Sequence, residues 1–139
     1  MQQAFTEAQK AFDKDEVPIG AVVVMQNQII ARAHNLTETL IDVTTHAEMQ
    51  AFTAASDYLG GKYLPECTLY VTLEPCQMCA RASYWTRIGC IVFGAFDPKR
   101  SYQHYKITLQ PKTKVIGGVL EQECAHLINK FFAEKRNLN

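Results

Sequence analysis

Between Ile19 and Ala33 the chain reads IGAVVVM, then QNQ, then IIARA. Two β-branched runs parted by three polar residues predict an antiparallel hairpin. The hairpin does not continue as a meander. TLYVTL at 68–73 and IGCIVFGA at 88–95 are strand-like, and KVIGGVL at 114–120 holds a last short strand. Around them lie segments of helical period. Ala4, Phe5, Ala8, Ala11 and Phe12 recur at helix spacing until DKDEVP breaks the pattern before Pro18. His46 to Leu59 reads as a helix closed by Gly60-Gly61, and the segment after Pro75 as another to about Thr86. Residues 121–136 form an amphipathic helix through Cys124, Leu127, Ile128, Phe131 and Phe132, and the polar, basic stretch 97–113 is expected to be a loop with a short helix. Helices alternating with strands must cover both faces of the sheet, and the leading hairpin makes that sheet mixed. The predicted class is α/β: a three-layer α/β/α sandwich with a mixed, roughly five-stranded sheet. Residues 1–139 show no linker, repeat or composition break and are read as a single domain.

Composition narrows the function classes. The formal net charge is zero, which disfavours a general polyanion binder, but the charge is unevenly spread. Residues 1–61 carry three basic against eight acidic groups, and residues 62–139 carry eleven against six. The second half can therefore face an anionic partner. No apolar run is long enough to span a bilayer, and MQQAFTEAQK lacks the regions of a signal peptide, so the expectation is a cytoplasmic protein without membrane contact. In that compartment five cysteines are read as thiols or metal ligands and not as a disulfide framework.

Two short motifs carry the chemistry. TTHAEMQ opens the second predicted helix and EPCQMC the third. Cys76 and Cys79, at i and i+3 in the first helical turn, share a face and can reach one ion, and the helix dipole favours their thiolates. His46 offers a nitrogen, and two thiolates with one imidazole suit zinc. Three protein ligands leave a fourth position for water, as in a catalytic site; Cys67, Cys90, Cys124 and His34 lack ligand-like spacing. The plainer alternatives are specific too. Thr45-His46-Ala47-Glu48 fits a capping box in which Glu48 only bonds back to the backbone. The C-x-x-C pair fits a thiol-redox role.

H-A-E followed by P-C-x-x-C resembles the zinc-dependent cytidine and deoxycytidylate deaminase superfamily. EVPIGAVVV, HNLTETLIDVTTHAEMQA, LYVTLEPCQMCA, RIGCIVFGAFD and IGGVLEQEC together resemble the bacterial tRNA-specific adenosine deaminases. These stretches follow family order over nearly all the chain from Glu16. The resemblance implies a cytidine-deaminase-like fold and one Zn2+ per chain, held by His46, Cys76 and Cys79. It implies that Glu48 moves protons during hydrolytic deamination, that Asn35 hydrogen-bonds the purine edge, and that the substrate is the wobble adenosine of a tRNA anticodon loop. It also implies a homodimer, built largely on the helices that follow the two motifs.

RNA contacts are expected from Lys99, Arg100 and Lys106, joined by Lys112 and Lys114, with Tyr102 and Tyr105 available for stacking. Four features depart from the family pattern: Arg81 stands in place of Gly, Phe96 in place of Arg, Val43 in place of Pro, and the segment after Asp97 is short. Tyr84-Trp85 is similar to a feature of guanine deaminases. Two rival functions therefore accompany the first. One is a deaminase of free guanine or a related heterocycle, whose activity would lack steep salt dependence. The other is a non-catalytic zinc-stabilised RNA-binding module, in which Glu48 would be a cap only.

Overall fold

The computed structural model describes residues 1–137; the last two residues of the expected 1–139 domain lie outside the described residues. The chain orders as α1 (Gln2–Asp13), β1 (Gly20–Met25), β2 (Gln28–His34), α2 (Ala47–Leu59), β3 (Thr68–Leu73), α3 (Gln77–Thr86), β4 (Cys90–Ala95), β5 (Lys114–Ile116) and α4 (Glu121–Asn137). The hairpin turn uses Gln26 and Asn27, both at positive φ, as a two-residue connection matched to strand twist requires. A register irregularity at Val23/Val24 follows in β1.

The sheet is five-stranded and mixed, in the order β2-β1-β3-β4-β5. β1 is antiparallel to both β2 and β3, while β3, β4 and β5 are mutually parallel. Since β2 and β3 both oppose β1, they point the same way. The chain therefore leaves both strands at the same sheet edge, and there it enters α2 and α3.

α2 and α3 pack together on one face, and α1 and α4 on the other. The first interface is filled by Ala21, Val23, Leu69, Val71, Ile91 and Phe93 of the strands against Ala47, Ala51, Phe52 and Ala55 of α2. Three alanines along α2 bring its backbone close to the sheet, leaving Phe52 to fill the wider gap. The opposite face depends on two glycines. A Cβ on Gly20 would lie 2.1 Å from the Ala4 carbonyl oxygen of α1, and one on Gly94 2.6 Å from Cys124 Sγ of α4. Phe12 and Phe131 join those two helices edge to face, with centroids 6.0 Å apart.

Two details differ from the sequence expectation. Residues 97–113 contain turns and an isolated bridge between Cys76 and Ser101, with no helix. The Tyr102 amide donates to the Pro75 carbonyl and Lys106 takes φ 57°, so a helical ladder cannot run through the segment. In α4 only Cys124 and Phe131 are buried, and Phe132 stays exposed.

Candidate metal centre and active site

α2 and α3 begin in the same unusual way. The N-cap position, which favours Ser, Thr, Asp or Asn, is held by His46 in α2 and by Cys76 in α3. Neither makes a side-chain cap bond, so both side chains are free to point at each other. Cys79 follows one turn into α3, fully buried. His46 Nδ1 lies 3.6 Å from Cys76 Sγ and 3.5 Å from Cys79 Sγ, and the three donor atoms fall within 4.8 Å of one another.

The spacing fits a zinc ion. Tetrahedral ligands with Zn–S of about 2.3 Å and Zn–N of about 2.0–2.1 Å sit about 3.6 Å apart. Among the described residues no other His, Cys, Asp or Glu joins the cluster. Of the four other candidate ligands, Cys67 and Cys124 are core thiols and Cys90 opens β4. His34 instead faces Glu7 through Nδ1 and Lys14 through Nε2.

The cluster is electrostatically tense. The hydrogen bond from Cys79 pushes the Cys76 thiol down to about 4, with His46 adding to the effect. That same bond, and then burial, push the Cys79 thiol up. The bond with Cys76 also raises His46 above its ordinary value against the effect of burial. A divalent cation bound there would take both sulfurs as thiolates and the imidazole in its neutral form, displacing the protons they carry.

Glu48 lies at the second helical position of α2, 4% exposed. The capping-box alternative does not hold: the Thr45 hydroxyl donates to the Asp42 carbonyl, and Glu48 makes no bond to Thr45. Its Oε1 is buried with no hydrogen-bond partner. Burial, and then the Cys76 thiolate, push its carboxyl up to about 7.

A family profile described as MafB19-like deaminase matches residues 1–137. The chain belongs to that family. The tRNA-specific adenosine deaminase of Bacillus subtilis (strain 168) is 47% identical over 142 residues, covering 98% of this chain and 88% of its own. A solved structure from a study of A-to-I editing by tRNA:A34 deaminases at the wobble position of transfer RNA matches with a TM-score of 0.83 at 41% identity, covering 91% of this chain and 96% of that one. The guanine deaminase of Bacillus subtilis matches less of the molecule: TM-score 0.65 and 37% identity, over 68% of this chain and 61% of its own. The chain is a deaminase with the cytidine-deaminase-like fold.

The deaminase places its other candidate residues unevenly. Asn35 ends the hairpin, 4% exposed, with its side chain spent on Thr37: the Thr37 amide donates to Oδ1 and Nδ2 donates to the hydroxyl, both at 3.4 Å. Lys99, Arg100 and Lys106 are exposed on the segment that Ser101 pairs with Cys76. Lys112 and Lys114 do not join them. Lys114 pairs with Cys90 at the beginning of β4, the sheet edge opposite the one where β3 delivers Cys76, and Lys112 lines a groove with Thr68 and Cys90. Tyr102 is buried and cannot stack a base, whereas Tyr105 is exposed. Of the departures from the family pattern, Arg81 and Val43 are exposed, and Phe96 packs edge-on to Phe93 at 5.0 Å.

Sequence reasoning missed two buried acids that shape the surroundings. Glu16 accepts from the Glu38 amide at 3.0 Å and from the Thr39 amide and hydroxyl at 2.7 Å each, fixing the loop that leads into His46. Glu74 accepts from the Asp97 amide at 3.0 Å and from Gln103 Nε2 at 2.6 Å. Both partners lie more than twenty residues away, beyond any local pattern.

Proposed function

We propose that this deaminase hydrolyses the wobble adenosine of a tRNA anticodon loop to inosine, with one zinc ion held by His46, Cys76 and Cys79 and with Glu48 as the proton carrier. The observation that carries the reading is the unpartnered Glu48 Oε1 buried beside three donors spaced for zinc. A zinc ion bound there supplies Lewis acidity, making water an available nucleophile at neutral pH. Glu48 Oε1 accepts a proton from the attacking water and returns protons to the purine ring nitrogen and the departing amine, so that adenosine and water yield inosine and ammonia. Burial disfavours the charged carboxylate, which suits a group that must both take a proton and give it back. Its burial keeps bulk water from competing for those protons.

Asn35 turns from Thr37 to the purine edge when the base enters; its two 3.4 Å bonds are long and easily exchanged. The splayed anticodon loop exposes the base that a duplex would hide. Lys99, Arg100 and Lys106 contact its phosphates. Support for the substrate comes from the 47% identical relative and the structure at TM-score 0.83. The protein acts in the cytoplasm as one domain, and two copies associate through α2 and α3. Exposed Tyr58, Tyr63 and Trp85 on and beside those helices, and the groove shared by Met49, Phe52, Tyr63 and Trp85, support that contact. No helix among the described residues is long and apolar enough to cross a membrane.

A second reading, deamination of free guanine, draws on the guanine deaminase match and on Tyr84-Trp85. One experiment separates them. Wild type and Glu48→Gln are given a tRNA carrying adenosine at the wobble position, and inosine and zinc content are measured together. Inosine from wild type and none from a zinc-loaded variant supports the first reading. Release of ammonia from guanine with no inosine from the tRNA replaces it with the second.

A further inference from the structure

We infer that Glu74 is a positioning residue for RNA binding, holding the segment 97–103 against the start of α3 so that Lys99 and Arg100 are presented beside the catalytic centre. This rests on the RNA-directed reading above. Glu74 is 4% exposed and lies two residues before Cys76. Its Oε1 accepts from the Asp97 amide at the segment's first residue and its Oε2 from Gln103 Nε2 at its last. The clamp continues through the backbone: the Glu74 amide donates to Ala95, the Tyr102 amide to Pro75, and Ser101 bridges to Cys76. Inside the clamp the Asp97 carboxylate accepts from the Lys99 and Arg100 amides at 3.4 and 3.2 Å. Both side chains are exposed, and neither has an ion-pair partner among the described residues.

By accepting at both ends of the loop, the Glu74 carboxylate removes backbone freedom that the segment carrying Lys99 and Arg100 would otherwise lose on binding RNA. An unclamped loop would pay that ordering cost at binding. The loss therefore falls on KM for RNA more than on kcat.

Three variants test this with zinc-loaded protein and a wobble-adenosine tRNA. Glu74→Ala removes both acceptors. Gln103→Ala severs one bond from the exposed side and cannot disturb the core. Glu74→Gln keeps an acceptor for Asp97 and can pair with a turned Gln103 amide. The expected result is a KM raised about tenfold in Glu74→Ala, about threefold in Gln103→Ala, and largely restored in Glu74→Gln. Trypsin cleavage after Lys99 and Arg100 should rise in the same order.

The proposal is overturned if Gln103→Ala and a folded Glu74→Ala keep the wild-type KM, or if KM and kcat change by equal factors or zinc is lost, which would mark a merely structural role. If Glu74→Ala does not fold, Gln103→Ala decides. Absence of inosine from wild type would sink the RNA reading and this inference with it. Inosine formation with an unmoved KM sinks this inference alone.

Discussion

Glu48 at the start of α2 and Glu16 beside the loop ahead of it are both buried glutamates, and the fold treats them oppositely. At Glu16 burial alone would raise the carboxyl. The Thr39 hydroxyl and the amides of Thr39 and Glu38 outweigh it, and the group ends below its ordinary value. At Glu48 no donor reaches Oε1; burial, and then the charge of Cys76, outweigh the weaker opposing contacts, and the carboxyl rises to about 7. Nearly all buried polar atoms in folded proteins are satisfied. One left open beside three metal-type donors is the observation on which the proposed role of Glu48 rests. Burial alone does not separate the two carboxyls; the donors that face Glu16 and leave Glu48 Oε1 open do.

Substitution at Glu48 should cost the most. Glu48→Gln should lower the deamination rate by about 10³-fold, the scale of a lost general acid–base, while zinc content stays at that of wild type. Glu16→Gln should leave zinc binding intact. If the two variants lost activity equally, an open carboxylate and a satisfied one would be equivalent. The assignment of Glu48 would then fail.

Metal removal comes next. Extraction with a strong chelator should abolish activity and lower the unfolding free energy by about 4 kcal/mol, the stabilisation expected when free zinc exceeds its dissociation constant a thousandfold. Cys79→Ala should match chelated wild type in both calorimetry and metal analysis. A chelated protein that melted like the untreated one would mean that the three donors hold no ion.

That His46, Cys76 and Cys79 would meet could be read from the sequence because the donors of this candidate site lie within short windows. His46 and Glu48 are two residues apart, Cys76 and Cys79 three, and each pair opens a helix whose period is visible. The hairpin followed by alternating elements likewise set the mixed sheet. What the chain order could not show was which sheet edge each loop residue reaches. Lys112 and Lys114 follow Lys106 closely in sequence yet lie at the far edge, because the chain crosses the sheet before β5. The helix expected within 97–113 failed for a related reason. The Tyr102 amide is committed to Pro75, and the Asp97 amide and the Gln103 side chain to Glu74, contacts that no local periodicity contains.

The middle effect concerns the anchor. Glu16 is fully buried, and Glu16→Gln places an amide among three donors, leaving at least one unsatisfied at a cost of about 1–3 kcal/mol. The sign with pH follows from the lowered carboxyl. Its contribution is present above the unfolded value of 4.5 and is lost as pH falls through the lower folded value. The gap between wild type and Glu16→Gln in denaturant melts should therefore be widest near neutrality and close in acid. A gap constant from pH 7 to below the folded value would mean that charge contributes nothing there.

The smallest effect sharpens the same contrast by removing one donor and no charge. Thr39→Val deletes the hydroxyl 2.7 Å from Glu16 Oε2 and leaves the Thr39 and Glu38 amides in place. The expected cost is roughly 0.5–1.5 kcal/mol, below that of Glu16→Gln because two donors still face the carboxylate. The acid midpoint of the Glu16 contribution should also move upward, since the hydroxyl is the strongest of the groups holding the carboxyl down. Carboxylate chemical shifts of Glu16 against pH would measure that movement directly. If the midpoint stayed fixed while stability fell, the hydroxyl would act through loop packing. Donor count would then not be what divides Glu16 from Glu48.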